Sequence, residues 1–392
     1  MANLFDYLEW RGDLKFERDG FNEVDNLILS VLAYVEYEGL VTGEIDGQRT
    51  TLSKVAEYYQ NHRFVSPSFY DNPFFNQIPD LLQKTAAAAR FHDIGLSGYV
   101  NQIDDENSNQ FSALVFSIDA GYHYISFRGT DDTIAGWKED FEMSFMDEIL
   151  SQKLAAEYIN AVSTKLEGGF YLGGHSKGGN LAVYAATHVI EEMRDRIKGI
   201  FNNDGPGFQA DVIQCAGYQS MLDRINTYVP KSSVVGMLLE HGEEYKVIRS
   251  TGLSIMQHNA LNWEVKGPRF VYEKELTRNS RDTDKALRSW LSNLSIEQRA
   301  DFIDALFDII QATGAHTLSQ LSKEKLNAID TMVKTFKNMD PSSQAMLKGT
   351  IDMFFKEWQK VFMNSIGAGF DSLLSKKGTA ERSRNGLNKK TD

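Results

Sequence analysis

Cysteine is nearly absent from this 392-residue chain, in which Cys215 is the only one. A single cysteine excludes an intramolecular disulfide and a zinc site built from cysteines. Positive charge is also scarce, since 41 Lys and Arg stand against 54 Asp and Glu and the formal net charge is −13. Contact with a phosphate backbone needs a basic face, so we expect no nucleic-acid partner.

Long apolar runs are missing as well. No stretch reaches the length of about 20 apolar residues that crosses a bilayer. Residues 1–10 lack the basic and then apolar pattern of a signal peptide. We therefore expect a cytoplasmic protein with no transmembrane segment, and the sequence carries no motif for a cofactor or a metal. Composition is that of a globular protein, at 42% hydrophobic and 24% charged residues. It favours no particular oligomeric state.

A G-x-S-x-G turn stands at the centre of the chain, between the apolar segment 170–172 and a helical pattern that follows Ser176. So tight a turn needs glycine at its flanking positions, here Gly174 and Gly178. It would expose the Ser176 hydroxyl and direct the Lys177 N–H towards an oxyanion. The pattern predicts a nucleophile elbow. The alternative is a glycine-rich turn with an incidental serine.

The remaining pattern predicts an α/β fold with a mostly parallel, mixed central sheet. A hairpin of strands 111–118 and 122–127 precedes a series in which strands and helices alternate. The chain divides into an N-terminal helical region packing on the core (1–92), the α/β core (93–278), a C-terminal helical region (279–375) and a disordered basic tail (376–392).

Capping signals mark several of the predicted helices. Asn22 with Asp25, and Ser295 with Gln298, have the spacing of capping boxes, and Pro79 and Pro341 suit first helical turns. We expect the C-terminal helices to pack on the core or on one another. Peripheral membrane contact by the aromatic residues of 354–362 is the alternative. The aromatic segment 64–75 is open to two interpretations, a pocket wall or a loop over the core.

A second motif, FRGT at 127–130, is followed by Trp137 and Asp140. Together with GHSKGG at 174–179, it resembles the lipase class 3 family of α/β-hydrolases, over residues 95–275. The whole chain is most similar to a bacterial branch of that superfamily. The resemblance implies an α/β-hydrolase fold, a small ester or lipid-like substrate, and Thr130 as an oxyanion-hole donor through its N–H and its hydroxyl. It also implies that 131–145 acts as a lid.

Lys177 departs from the family, which usually carries an apolar residue there. Its backbone N–H is all that an oxyanion hole needs. A cation beside the nucleophile would favour an anionic substrate. A solvated lysine on the first helical turn is the alternative.

A serine nucleophile needs a base, and histidine has a suitable pKa. Of eight histidines, His258 follows the last core strands, as the order Ser, acid, His in α/β-hydrolases requires. A structural loop histidine is the alternative interpretation, and His241 is the second candidate base. His175 lies in the turn itself, where we expect its side chain to point away from the serine.

The acid departs from the family pattern. Class 3 lipases carry an aspartate after the strand that corresponds to 224–229, but residues 230–234 read PKSSV, without a carboxylate. Asp204 directly follows strand 199–203, a position that some α/β-hydrolases use, and we predict it as the acid. An Asp-Gly turn is the alternative. Glu243, Glu244 or, through its hydroxyl, Ser233 could orient the histidine instead.

These residues predict a serine esterase or lipase-like hydrolase that forms an acyl-enzyme on Ser176. Two other hypotheses stay open. The first is a catalytically weak or inactive α/β-hydrolase that serves as a binding module. The second is a thioesterase or acyltransferase on the same site, because a fold alone does not separate these functions.

Overall fold

A nine-stranded sheet forms the centre of the computed structural model, which describes residues 1–62, 75–104, 109–119, 121–131, 133–252, 254–317, 320–321, 325–353 and 356. The strands are β1 (Thr50–Thr51), β2 (Gly95–Asp104), β3 (Asn109–Ser117), β4 (Tyr122–Phe127), β5 (Gly169–His175), β6 (Ile197–Asn203), β7 (Ile225–Pro230), β8 (Tyr245–Ile248), β9 (Val265–Lys266), β10 (Arg269–Phe270) and β11 (Tyr272–Glu273). The sheet order is β1-β2-β3-β4-β5-β6-β7-β8-β11, and β9 pairs with β10 separately.

The sheet is mixed and mostly parallel at its centre, as the sequence predicts. Strands β4 to β8 pair in parallel, whereas β1 to β4 pair antiparallel and β11 runs antiparallel along β8. The predicted hairpin is β3 and β4; its turn residue Ala120 lies outside the described residues. Residues 269–273 form two short strands, because the Val271 N–H bonds to the Glu264 carbonyl oxygen while Tyr272 pairs with β8.

Helices cover both faces of the sheet. They are α1 (Leu4–Arg11), α2 (Glu23–Leu32), α3 (Leu52–Asn61), α4 (Ile78–Ala87), α5 (Ile134–Glu142), α6 (Leu150–Lys165), α7 (Lys177–Thr187), α8 (Glu191–Arg194), α9 (Ala210–Gln214), α10 (Ala216–Met221), α11 (Arg278–Ser292), α12 (Ile296–Gln311) and α13 (Lys325–Asn338). A further helical segment spans 341–353.

Each face of the sheet has its own hydrophobic cluster. Helices α1 to α4 pack with Leu114 and Phe116 of β3, whereas α6 and α7 pack with Ala113 and Val115 of the same strand. Alternate residues of a strand point to opposite faces, so β3 serves both clusters and is buried throughout. The N-terminal region therefore covers most of one face, which residues 260–270 complete, and also supplies the edge strand β1.

The capping signals are confirmed at both boxes. Asn22 and Asp25 cap α2, and Ser295 and Gln298 cap α12. A third cluster joins α12 and segment 341–353 to Ile134 of α5. Residues 63–74, 354–355 and the tail 376–392 lie outside the described residues, and no described helix is long and apolar enough to cross a membrane.

Candidate active site

The turn between β5 and α7 has the backbone of a nucleophile elbow. Ser176 adopts φ 57° and ψ −135°, a region that residues other than glycine rarely occupy. A Cβ on Gly174 would lie 2.3 Å from the Gly178 carbonyl carbon, and one on Gly178 would lie 2.1 Å from the Phe127 oxygen. Both positions therefore require glycine. The turn rests directly on the end of β4.

Asp204 and His258 are in contact beside this turn. His258 Nδ1 lies 2.7 Å from Asp204 Oδ2. The other carboxyl oxygen accepts from the Ser233 hydroxyl at 2.5 Å and from the Gly236 N–H at 3.1 Å. Asp204 is fully buried and has φ 57°. Burial raises the pKa of the Asp204 carboxyl, and the bonds from His258, Ser233 and Gly236 oppose that rise.

His175 links His258 to the elbow. Its Nε2 donates to the His258 carbonyl oxygen at 2.8 Å, and the two ring centroids lie 4.5 Å apart. Burial lowers the pKa of His175 to about 3. The ring is therefore neutral at physiological pH, and its Nδ1 is an acceptor within reach of the Tyr34 hydroxyl at 3.3 Å. His175 holds the loop of His258 against the residue that precedes Ser176.

The second candidate base, His241, belongs to a different pair. Its Nε2 donates to the Gly236 carbonyl oxygen at 2.7 Å, and its Nδ1 lies 3.2 Å from Glu243. Burial would raise the pKa of Glu243, but hydrogen bonds from His241, Thr227 and Tyr218 lower it to about 2. Both ring nitrogens of His241 are thus engaged inside the fold.

Three other residues were alternatives to Asp204 as the group that orients the histidine, and each has a different environment in the structure. Glu243 contacts His241, Glu244 is exposed, and the Ser233 hydroxyl donates to Asp204. Ser233, an alternative direct partner of the histidine from the sequence, is a partner of the carboxylate. The sequence offers no signal for this contact, because 29 positions separate the two residues.

The loop after β4 lies against the elbow. A Cβ on Gly129 would lie 2.3 Å from the His175 oxygen and 3.0 Å from Ser176 Cβ. Thr130 follows, and the Thr130 hydroxyl donates to Asp140 Oδ2 at 2.6 Å. Neither the Thr130 N–H nor the Lys177 N–H has a protein acceptor within the described ranges, which omit only Asp132 from this loop. Two backbone donors therefore flank Ser176.

Asp140 carries a buried carboxyl group close to the elbow. Burial raises the pKa of its carboxyl to about 6, although the charge of Lys177 and the bond from Thr130 oppose that rise. Its second oxygen, Oδ1, is buried and has no hydrogen-bond partner among the described residues. The carboxyl of Asp140 thus changes charge near neutral pH, in direct contact with Thr130.

The Lys177 side chain corrects both sequence interpretations. It is fully buried, and its Nζ donates to the Gln110 carbonyl oxygen at 2.9 Å and to Glu139 Oε2 at 2.5 Å. It is neither a solvated lysine nor an exposed cation beside the nucleophile. Its counter-ion lies on α5, 38 positions away in the chain, so no local sequence pattern indicates the pair.

A buried amide network supports the elbow from the N-terminal region, and sequence reasoning missed it. Asn203 Nδ2 donates to the Gly174 oxygen at 2.9 Å and to Asn26 Oδ1 at 3.2 Å. The Tyr124 hydroxyl donates to the same oxygen of Asn26 at 2.7 Å. A signal was available, since an asparagine amid the apolar residues of a strand or helix needs buried partners.

A family model described as Mbeg1-like matches residues 85–308. The chain belongs to the Mbeg1-like family. This is a lipase class 3-like family, in agreement with the resemblance that the two motifs carry. No curated protein matches the chain. The Mbeg1-like segment contains the elbow, Asp204, His258, the loop of Thr130 and all of α11. Among the described residues, no group of three or more His, Cys, Asp or Glu could hold a metal ion.

Proposed function

We propose that this Mbeg1-like protein is a serine hydrolase that cleaves a carboxylic ester through an acyl-enzyme on Ser176. The observation that carries the proposal is the 2.7 Å contact between His258 Nδ1 and Asp204 beside a serine at φ 57°. A buried carboxylate on one imidazole nitrogen leaves the other nitrogen to exchange a proton with the serine. A cytoplasmic location and membership of a bacterial branch of the lipase class 3-like proteins are part of this proposal.

In the proposed mechanism, the Ser176 oxygen attacks the ester carbonyl carbon while His258 Nε2 takes the serine proton. Asp204 holds the proton of Nδ1 and stabilises the imidazolium that forms. The carbonyl oxygen becomes an oxyanion and accepts from the N–H groups of Thr130 and Lys177. The C–O bond to the alcohol then breaks, and His258 gives that oxygen its proton. Water, deprotonated by His258, hydrolyses the acyl-enzyme by the same steps.

Ser176→Ala tests the proposal. Loss of the nucleophile should reduce hydrolysis of a short p-nitrophenyl ester by several orders of magnitude. The midpoint of thermal unfolding should stay within a few degrees, because the hydroxyl has no packing role. A fluorophosphonate should label the wild type and not the variant.

The outcomes separate the hypotheses. Wild-type protein that takes no label and hydrolyses no ester favours the binding module over the hydrolase. Label without ester hydrolysis favours the thioesterase or acyltransferase, which acyl-thioester and acceptor-alcohol assays then distinguish. His258→Ala should behave like Ser176→Ala, and if His241→Ala were the inactive variant instead, the assignment of the base would be wrong.

A further inference from the structure

An apolar cavity of 80 Å³ lies between the α/β core and the C-terminal helices. Its walls come from α5, from the loops after β6 and β7, and from α11 and α12. Leu239, Leu287, Leu291 and Phe302 are among its apolar lining residues, and Asp140, Ser144 and Arg299 also line it. The apolar faces of α11 and α12 therefore do more than cover the core, because they enclose space beside it.

Two of the lining residues connect the cavity to the elbow. Asp140 accepts a hydrogen bond from the Thr130 hydroxyl. Thr130 is also the candidate oxyanion donor beside Ser176. Pro206 lines the cavity two residues after Asp204, and a Cβ on the intervening Gly205 would lie 2.3 Å from the Ser176 carbonyl oxygen. The cavity is thus one residue removed from the candidate oxyanion hole, through Asp140, and close in the chain to the acid, through Pro206.

The wall contains a strained residue that the surrounding structure holds in place. Leu239 has φ 63°, a conformation that costs a leucine about 1 kcal/mol or more. The Leu239 carbonyl oxygen accepts from Arg288 Nη2 of α11 at 2.8 Å, and Arg288 also pairs with Glu240. Strain of this kind collects at functional sites, where the fold over-determines it.

We propose that this cavity binds the acyl chain of a short straight-chain ester, of about three carbons beyond the carbonyl. The inference rests on the proposed function. A cavity of 80 Å³ equals the volume of fewer than three waters at about 30 Å³ each, and a methylene group is of similar size. Asp140, whose Oδ1 is buried without a hydrogen-bond partner among the described residues, lines the cavity, and the leucines supply apolar surface for an alkyl chain.

The acyl group fits this position better than the alcohol does. The leaving oxygen must lie beside His258 to receive its proton. Neither His258 nor His175 lines the cavity in the part of the chain that the structure describes, whereas Asp140, the partner of Thr130, does. Of the side chains around Ser176, the cavity is therefore lined by the carboxyl that binds Thr130 rather than by either imidazole.

A series of p-nitrophenyl esters from acetate to octanoate tests the proposal in the full-length protein. We expect kcat/KM to rise about fourfold with each buried CH2 as far as butyrate, and then to stop rising. Leu291→Trp should fill the cavity and lower the butyrate-to-acetate ratio towards one. Leu287→Ala should enlarge it and move the best ester to hexanoate. Leu306→Trp is the matched control on α12, outside the cavity lining, and should keep the wild-type ratio.

Two further measurements separate this proposal from the proposed function. A series of acetate esters of different alcohols should show no such length dependence; if the ratio follows the alcohol instead, the acyl assignment is overturned. Ser176→Ala protein should bind butanoate at least tenfold more tightly than acetate by NMR titration, and Leu291→Trp should abolish that preference. Equal binding of butanoate and acetate would overturn the assignment of the cavity to the acyl chain, whether or not the wild type hydrolyses esters.

Discussion

Asp204 combines full burial with a left-handed backbone and three hydrogen-bond donors. A residue that only formed a turn would have no need of the Ser233 hydroxyl, the Gly236 N–H and an imidazole around one carboxylate. Burying a carboxylate is unfavourable unless every oxygen is satisfied. The three donors therefore favour a role for the Asp204 carboxylate over a role of aspartate in the turn alone.

Asp204→Asn should lower kcat for a short ester by up to about ten thousandfold, because an amide NH2 facing His258 Nδ1 favours the wrong tautomer. Asparagine tolerates the left-handed backbone as aspartate does, so the fold should persist. Circular dichroism and steady-state kinetics measure the two effects. Glu243→Gln, Glu244→Gln and Ser233→Ala are the matched controls. If Asp204→Asn stays within tenfold of wild type while one control collapses, that other residue is the orienting group.

Thr130 and Asp140 together predict a dependence on pH. Above the Asp140 pKa of about 6, the ionised carboxylate accepts the Thr130 hydroxyl proton, so we expect Thr130 to serve the oxyanion through its N–H only, beside the N–H of Lys177. Below that pH, the protonated acid can donate to Thr130 Oγ1 and free the hydroxyl proton for the oxyanion.

Thr130→Val should therefore reduce kcat by less than tenfold at pH 8 and by more at pH 5, approaching the hundredfold loss typical of one oxyanion donor. The ratio of wild type to variant at each pH removes the titration of the base, which both proteins share. Asp140→Asn serves as the control, since it should abolish the pH dependence of that ratio. A ratio that is large and constant across this range would contradict the account.

At the scale of elements, one buried ion pair joins α5 to the elbow helix α7. Glu139 accepts from Lys177 Nζ, and also from the N–H groups of Gln110 and Ser151. The side chains of Lys177 and Glu139 are no more than 1% exposed. The pair therefore holds the ends of β3, α5 and α6 around the first turn of α7.

Lys177→Met should lower the free energy of unfolding by about 3–5 kcal/mol, because it leaves the Glu139 charge buried without a partner. The double variant with Glu139→Gln should recover much of that loss. Urea denaturation measures both. Lys138→Met, on the helix of Glu139, is the control: it breaks a pair with Asp304, whose side chain is 62% exposed, and should lose less than about 1 kcal/mol.

At the scale of the whole molecule, the family match and the folded core have different extents. The Mbeg1-like segment starts at residue 85, yet the cluster on one face of the sheet includes α1, α2 and α3. Helix α2 is buried at nine of its ten residues, and its Asn26 bonds to the strand end beside the elbow.

A fragment of residues 85–308 should therefore fail to fold cooperatively, because one face of its sheet would be exposed to water. The full chain should show a cooperative thermal transition and near-UV circular dichroism, and the fragment neither. Adding residues 1–84 back in cis should restore both. A soluble fragment with a sharp transition would instead mean that the N-terminal helices are an independent appendage.

Local sequence patterns were sufficient for much of this protein. The elbow was predictable because steric limits at Ser176 admit only glycine at two flanking positions. Capping boxes predicted where α2 and α12 begin, because each box satisfies backbone N–H groups within four residues. Apolar periodicity and chain order predicted the mixed sheet and selected Asp204 and His258, which lie in contact; their catalytic roles remain predictions.

Only the tertiary structure decided the surroundings of those residues. The burial of Lys177 against Glu139, the bond from Ser233 to Asp204 and the separate pairing of His241 each join residues that different elements bring together. The boundary predicted at residue 92 likewise separates the N-terminal helices from the strands that they cover, although both belong to one hydrophobic cluster. Short-range sterics and hydrogen bonding act along the chain and can be read from it, whereas desolvation and charge pairing depend on which distant side chains share the same buried volume.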